Sequence, residues 1–234
     1  FHSPGVDDAA WDDIAVPGRQ FERLLDTFAR HHYPLALAVV PAWLTAPRWR
    51  ALSRMGMAGR ELWCWHQHGW RHQNHEPLGK KQEFGPCRSE EGLRRDLDRG
   101  YRRLQAVMGS AFVPIFTPPW NRCSKITLAL LQEMGYKAVS RSQGSRPQAP
   151  AGFPDHAVHV DLHTDRAASA ALGWQRLLDR LTKGLRNPVC GIMIHHQRMN
   201  DEAFRFLDEL LAGIATCGRV QAVSFRDLLN VNSK

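Results

Sequence analysis

Short apolar runs alternate with longer amphipathic segments along most of the chain. The runs predict short strands and the segments between them predict helices. The predicted strands are the stretch leading into Asp12, then residues 35–40, 62–65, 112–116, 137–140, 157–161, 189–195 and 220–224. This alternation is expected of repeated strand–helix units around a parallel sheet.

The amphipathic segments carry apolar side chains at the three-to-four spacing of a helical face. The segment "RQFERLLDTFARHH" has Phe21, Leu24, Leu25 and Phe28 on one such face, and "EEGLRRDLDRGYRRLQAVM" repeats the pattern. The segments "SKITLALLQEM" and "DEAFRFLDELLAGI" predict two further helices. About eight strands and six or more helices predict an α/β fold, a closed or nearly closed barrel that forms a single domain over residues 1–234.

Charge and cysteine usage narrow the classes of partner. The 31 Lys and Arg against 23 Asp and Glu give a net charge of +8, but the basic residues are dispersed and no nucleic-acid-binding motif accompanies them. The longest apolar piece, "LALAVVPAWL", is too short to span a bilayer. Five widely spaced cysteines without a C-x-x-C pair indicate a reducing compartment, and with no signal peptide in the sequence we expect a cytoplasmic protein. The oligomeric state is not indicated.

Polar residues of catalytic and metal-binding type follow several predicted strands. Asp12 and Asp13 follow the first, a histidine cluster the third, "TPPWNR" the fourth, Asp161 and His163 the sixth, and "HHQR" the seventh. In parallel strand–helix barrels the carboxyl ends of the strands carry the site. We therefore expect these residues to meet at one rim.

The stretch "LWCWHQHGWRHQNH" contains four histidines within residues 62–75. His68 and His72 form an H-x-x-x-H pair, which on a helical turn would direct both imidazoles toward one metal ion. His66 and His75 are predicted to support the pair. Trp70 is a core residue, a platform on which a sugar stacks, or both. The following loop, "GKKQEFG", predicts that Lys80, Lys81 and Glu83 line the approach to the metal.

Three other motifs have a structural and a functional interpretation. Adjacent carboxylates in "WDDIAVPG" often cap a helix, but the helix here is predicted to start after Pro17, too late for that role. Consecutive prolines in "FTPPWNRC" suit a rigid strand exit. The strand ending "GIMIHHQRMN" offers His195 or His196 as an acid or base, and we choose His195 because it directly follows the apolar run.

The order of these motifs resembles that of the polysaccharide deacetylases, over residues 12–229. The closest resemblance of "DDIAVPG", "HQHGWRHQNHE", "KKQEFGP", "FTPPWNRCS" and "GIMIHHQRMN" is to a bacterial polysaccharide deacetylase-like subgroup. The resemblance implies a distorted (β/α) barrel of seven or eight strands that hydrolyses N- or O-acetyl groups on carbohydrates with a divalent metal. The metal is usually zinc, although sites with two His and one Asp also accept cobalt, nickel or manganese.

By position, the resemblance implies a role for each motif residue. Asp12 matches the general base, His195 the general acid, and Trp120 the residue whose backbone N–H helps to stabilise the oxyanion. The implied metal ligands are Asp13, His68 and His72. The implied substrate-binding residues are Trp70, Pro119, Asn121, Arg122, Asp161 and His196.

Departures from the family pattern leave the substrate class open. Ile14 replaces a glycine, Gly69 replaces a Ser or Thr, the arginine before the proline loop is absent, and no Asp-Trp motif is clear, although Asp161 lies near its expected place. One alternative is therefore a non-catalytic carbohydrate-binding relative. Another is a barrel amidohydrolase with His66 and His68 as ligands, but such a pair belongs to the first strand of that fold.

Overall fold

The computed structural model describes residues 18–55, 57–162 and 169–231, in which strands and helices alternate. The strands are β1 (Leu35–Val39), β2 (Trp63–His68), β3 (Phe112–Thr117), β4 (Ala138–Ser142), β5 (Asp155–Asp161) and β6 (Gly191–Met193). The helices are α1 (Arg19–Arg30), α2 (Ala46–Met55), α3 (Glu90–Met108), α4 (Lys125–Glu133), α5 (Ala170–Gly184), α6 (Asp201–Cys217) and α7 (Phe225–Val231).

The strands are hydrogen-bonded in chain order, β1-β2-β3-β4-β5-β6. β1 pairs with β2, β3 with β4, β4 with β5, and β5 with β6, each in parallel. Parallel pairing brings the carboxyl ends of the strands to one edge, as the sequence pattern predicts. The α/β class is confirmed.

The chain divides into two compact units, and the first contains the described residues up to Gln67, then Gly100–Val113, then those from His196 onward. Its core includes the predicted face of α1, where Phe21, Leu24, Leu25 and Phe28 are buried. The Trp49 ring of α2 packs edge-on against Trp65 of β2, with centroids 5.3 Å apart. One side of β2 therefore carries the aromatic residues that attach a helix to the sheet.

The second unit contains His68–Arg99 and Pro114–His195. Its core joins apolar side chains of α3 and α4 to those of β3, and includes Leu93, Leu97, Leu128, Leu131, Ile115 and Phe116. The hydroxyl of Ser124 caps α4 by accepting the backbone N–H of Thr127. Every described residue of the predicted site except His196 belongs to this unit.

The strand predicted at residues 220–224 does not form. Val220 and Val223 are 36% and 40% exposed, so their apolar side chains have no sheet to cover. Ser224 and Asp227 instead exchange hydrogen bonds at the start of α7, which is a capping box. The strand predicted to lead into Asp12 lies outside the described residues. Of the helices that the structure describes, none could cross a membrane.

Candidate metal centre

His68 is the last residue of β2, and its ring is oriented by the neighbouring strand. Its Nδ1 lies 2.9 Å from the backbone carbonyl oxygen of Thr117, the last residue of β3. A carbonyl oxygen can only accept, so Nδ1 carries the proton and Nε2 carries the lone pair. A ring nitrogen fixed in this way, with the other one available as a ligand, is the usual arrangement of a metal-binding histidine.

His72 returns to His68 through a loop and not through the helical turn suggested by the H-x-x-x-H spacing. Residues 69–75 are not helical, and both Gly69 (φ +61°) and His72 (φ +57°) are left-handed. The two imidazole rings nevertheless lie 5.0 Å apart, centroid to centroid, at an interplanar angle of 48°. They are close enough to share one ion.

Glu83 binds the backbone of this loop. Its carboxylate oxygens accept the N–H groups of Trp70, Arg71 and His72 at 3.1, 2.6 and 3.2 Å. The residue is 1% exposed, and burial raises the pKa of its carboxyl to about 7 although the three hydrogen bonds oppose that shift.

Lys80, Lys81 and Glu83 of the loop "GKKQEFG" were predicted to line the approach to the metal, and their environments differ. Lys80 and Lys81 are exposed, whereas Glu83 is buried beneath the histidine loop. Glu83 therefore does not line the approach, because its oxygens accept hydrogen bonds from the backbone.

A second left-handed turn, at residues 119–121, follows β3. Trp120 has φ +56° and Asn121 has φ +58°. The Trp120 ring lies 4.5 Å from that of His72, centroid to centroid. The Asn121 side-chain nitrogen lies 3.8 Å from the sulfur of Met193, while its buried Oδ1 has no hydrogen-bond partner among the described residues.

The carboxyl ends of β5 and β6 place the carboxylate of Asp161 near the imidazole of His195. Asp161 is in register with Met193 at the end of β6, and His195 follows two residues later. Asp161 Oδ2 lies 3.5 Å from His195 Nε2, an ion-pair separation rather than a good hydrogen bond. The Asp161 and His195 side chains are 17% and 31% exposed, and the Nε2 atom of His195 is buried on the side that faces the carboxylate.

Other predicted substrate-binding residues have distinct surroundings. Pro119 is buried beside Gly69, and Trp70 is half-buried. Arg122 donates from Nη1 to the carbonyl oxygen of Lys81 at 3.4 Å. His196 belongs to the first unit, where its ring lies 5.4 Å from that of Phe21.

The two flanking histidines differ from the central pair. His66 is buried, its ring packs edge-on against Phe225, and burial lowers its pKa to about 4. His75 is exposed, and its backbone N–H donates to the carbonyl oxygen of Gln82. The supporting roles of His66 and His75 stay predictions.

The donor set fits a divalent cation as far as it is described. Within residues 18–55, 57–162 and 169–231, no three His, Cys, Asp or Glu are grouped so as to hold a metal. The predicted third ligand, Asp13, and the predicted base, Asp12, lie outside those residues. Two converging imidazoles, one of them oriented by a carbonyl, are nevertheless ligands that zinc and cobalt accept.

Sequence reasoning missed what Glu83 and Met193 do. Gly69 was the available signal for the first, because a glycine after a ligand histidine indicates a close approach by another group. No local signal joins Asn121 to Met193, since two strands, β4 and β5, lie between them in the chain.

Comparison with known proteins gives a family and a fold. Residues 9–139 match the family model described as polysaccharide deacetylase. No curated protein matches the sequence significantly.

The solved structures that are similar to this chain include the following two. One, from Mycobacterium smegmatis and provisionally assigned as a polysaccharide deacetylase, has a TM-score of 0.63 and 17% identity over 97% of this chain and 84% of that one. The other is a family 4 acetyl xylan esterase from Clostridium thermocellum in complex with a cobalt ion. It has a TM-score of 0.54 and 13% identity over 91% of this chain and 85% of that one. At such identities the likeness shows the fold, and it confirms the predicted barrel class.

Proposed function

The chain belongs to the polysaccharide deacetylase family, and we propose that it is a metal-dependent hydrolase that removes acetyl groups from a carbohydrate. The observation that carries the proposal is the 5.0 Å approach of the His68 and His72 rings at the carboxyl edge of the sheet. Neutral imidazoles are common metal ligands, and two of them that converge at a strand end form a ligand pair that one divalent ion can bind.

His68, His72 and Asp13 would hold the ion, for which we propose zinc. The family 4 neighbour in complex with cobalt supports a divalent ion of this kind. When bound, such an ion polarises a carbonyl and lowers the pKa of a water molecule toward neutrality. His68 contributes through Nε2, because its Nδ1 proton is engaged by Thr117.

Proton transfer is assigned to two groups. Asp12 takes a proton from the attacking water, as the family resemblance implies. His195 gives a proton to the departing nitrogen or oxygen of the sugar. Asp161 Oδ2 lies 3.5 Å from His195 Nε2 and orients the ring toward the site.

The turn after β3 is the proposed substrate contact. Trp120 contacts His72, and Asn121 contacts Met193, two residues before His195. The turn therefore connects the histidine pair to the acid. The buried Oδ1 of Asn121 suits a donor from the substrate, such as an amide N–H or a sugar hydroxyl, because a buried acceptor is costly when unsatisfied.

The test is metal analysis of the purified protein together with acetate release from a panel of N- and O-acetylated oligosaccharides. We expect about one divalent ion per chain and acetate release that a chelator abolishes and zinc restores. Metal binding and carbohydrate binding without acetate release from any substrate would favour a non-catalytic relative. A protein that binds no divalent ion would contradict the proposal.

A further inference from the structure

Glu83 is an ionisable side chain buried beneath the metal loop, residues 69–75, and among the described residues its carboxylate oxygens accept backbone N–H groups. It accepts three consecutive backbone N–H groups, of which the last belongs to His72. Hydrogen bonds to a carboxylate are roughly twice as strong as neutral ones, so three of them hold a loop that has no regular secondary structure. The carboxylate thus supplies the acceptors that a strand or helix would otherwise provide for these backbone N–H groups.

Gly69 makes this contact possible. A Cβ at position 69 would lie 2.0 Å from Glu83 Oε2 and 2.6 Å from Pro119 Cγ, well inside van der Waals contact. The residue is also left-handed, which disfavours any side chain. Gly69, which departs from the family pattern, therefore leaves room for the Glu83 carboxylate where another residue would place its Cβ.

Glu83 itself is held by rigid neighbours. Phe84 forms a parallel bridge with Cys123, and its carbonyl oxygen accepts the backbone N–H of Ser124 at 2.8 Å. The Phe84 side chain is fully buried, and its ring packs edge-on against that of Phe116. The backbone that follows Glu83 is therefore fixed to the start of α4 and to β3.

We infer that Glu83 is a positioning residue that holds His72 in its metal-binding orientation through the backbone of residues 70–72. The inference rests on the proposed function only in that His72 is taken as a ligand. Glu83 is not itself a ligand: it is not part of any group of three metal-binding side chains among the described residues, and its oxygens already accept three donors.

Glu83→Gln tests the inference with little change of shape. The carboxamide keeps one acceptor oxygen but turns an NH2 group toward backbone donors, so at least one hydrogen bond is lost. Glu76→Gln is the matched control, because Glu76 lies in the same loop and accepts the backbone N–H of Cys87 rather than that of a metal-loop residue.

Two readouts other than activity decide the result. Titration of the metal-free proteins with Co²⁺, followed by absorbance, should show affinity that is about 10- to 100-fold lower for Glu83→Gln and unchanged for Glu76→Gln. Hydrogen exchange followed by mass spectrometry should show that the amides of residues 70–72 are protected in the metal-free wild type. In Glu83→Gln this protection should be lost. Equal cobalt affinity in the two variants would overturn the inference.

The wild-type measurement keeps the inference testable if Glu83→Gln does not fold. Amides 70–72 that exchange in the metal-free wild type as fast as an exposed loop would overturn it without any variant. Failure of the proposed function has a different signature, which is a wild-type protein that binds no cobalt although amides 70–72 are protected. In that case Glu83 still holds the loop, but the loop does not serve a metal.

Discussion

The imidazole of His68 is hydrogen-bonded to the carbonyl oxygen of Thr117, so the end of one strand orients the side chain at the end of its neighbour. That contact leaves Nε2 as the ligand atom. We expect His68→Ala and His72→Ala each to abolish binding of zinc, measured by metal analysis after dialysis. His75→Ala is the matched control, because His75 is exposed in the same stretch. It should retain the metal, and a loss equal to that of His72→Ala would contradict the ligand assignment.

The aspartate pair should separate into two roles. Asp13→Asn is expected to lose metal and activity together, because a ligand is removed. Asp12→Asn should retain nearly all the metal and lose acetate release, because only the proton acceptor is removed. Metal analysis beside an acetate assay distinguishes the two results, and an Asp12→Asn protein without metal would exchange the proposed roles.

His195→Ala should lower kcat by about 10²- to 10⁴-fold, the usual contribution of a general acid. Asp161→Asn removes the carboxylate 3.5 Å away and should also lower kcat, by less, with little change in KM. His196→Ala is the comparison, and it should lower kcat less than His195→Ala because the His196 ring packs against Phe21.

The pH profile provides a second check on the acid. Activity should be bell-shaped, since Asp12 must be ionised while His195 is protonated. In His195→Ala the fall in activity at high pH should disappear, because the group that must stay protonated is absent. If His195→Ala is fully active and His196→Ala is inactive, the acid is the next residue along the chain.

The ion pair between the buried Arg141 and the more exposed Asp155 should respond differently to the loss of each partner. The Arg141 side chain is fully buried, whereas that of Asp155 is 29% exposed. Asp155→Ala leaves a buried charge without its partner and should lower the free energy of unfolding by about 3–5 kcal/mol. Arg141→Met leaves a carboxylate that water can reach, and should cost less.

Urea unfolding of both variants measures the difference. The control is Glu133→Ala, which breaks the exposed pair with Arg94 and should change stability far less than either. Equal losses for Asp155→Ala and Glu133→Ala would show that Arg141 finds other acceptors.

Thiol labelling should follow burial. Burial raises the pKa of Cys64 to about 11 and that of Cys123 to about 12, so neither forms a thiolate near neutral pH. Cys87 and Cys217 are exposed. Iodoacetamide at pH 8 should modify the exposed pair in the folded protein and the buried pair only after unfolding, as mass spectrometry of peptides can show.

Local patterns in the sequence were sufficient for most of the secondary structure. The segment "EEGLRRDLDRGYRRLQAVM" forms α3 with the predicted bounds, because its apolar face repeats over five turns. Strand ends were less accurate: residues 189–195 were predicted as a strand, and only Gly191–Met193 pairs. The prediction of a strand at residues 220–224 was wrong, because apolar residues form a strand only where a neighbouring strand offers hydrogen bonds.

The sequence by itself determined which residue types reach the rim, because strand ends follow from hydrophobic periodicity and His68, Asp161 and His195 lie at those ends. Only the tertiary structure decided how they meet. The return of His72 depends on the left-handed backbone at Gly69 and on the carboxylate of Glu83, which lies 11 residues further along the chain. The contact of Asn121 with Met193 likewise spans 72 residues. Such contacts arise when separate strands are brought into register, and no local pattern of hydrophobicity or spacing encodes them.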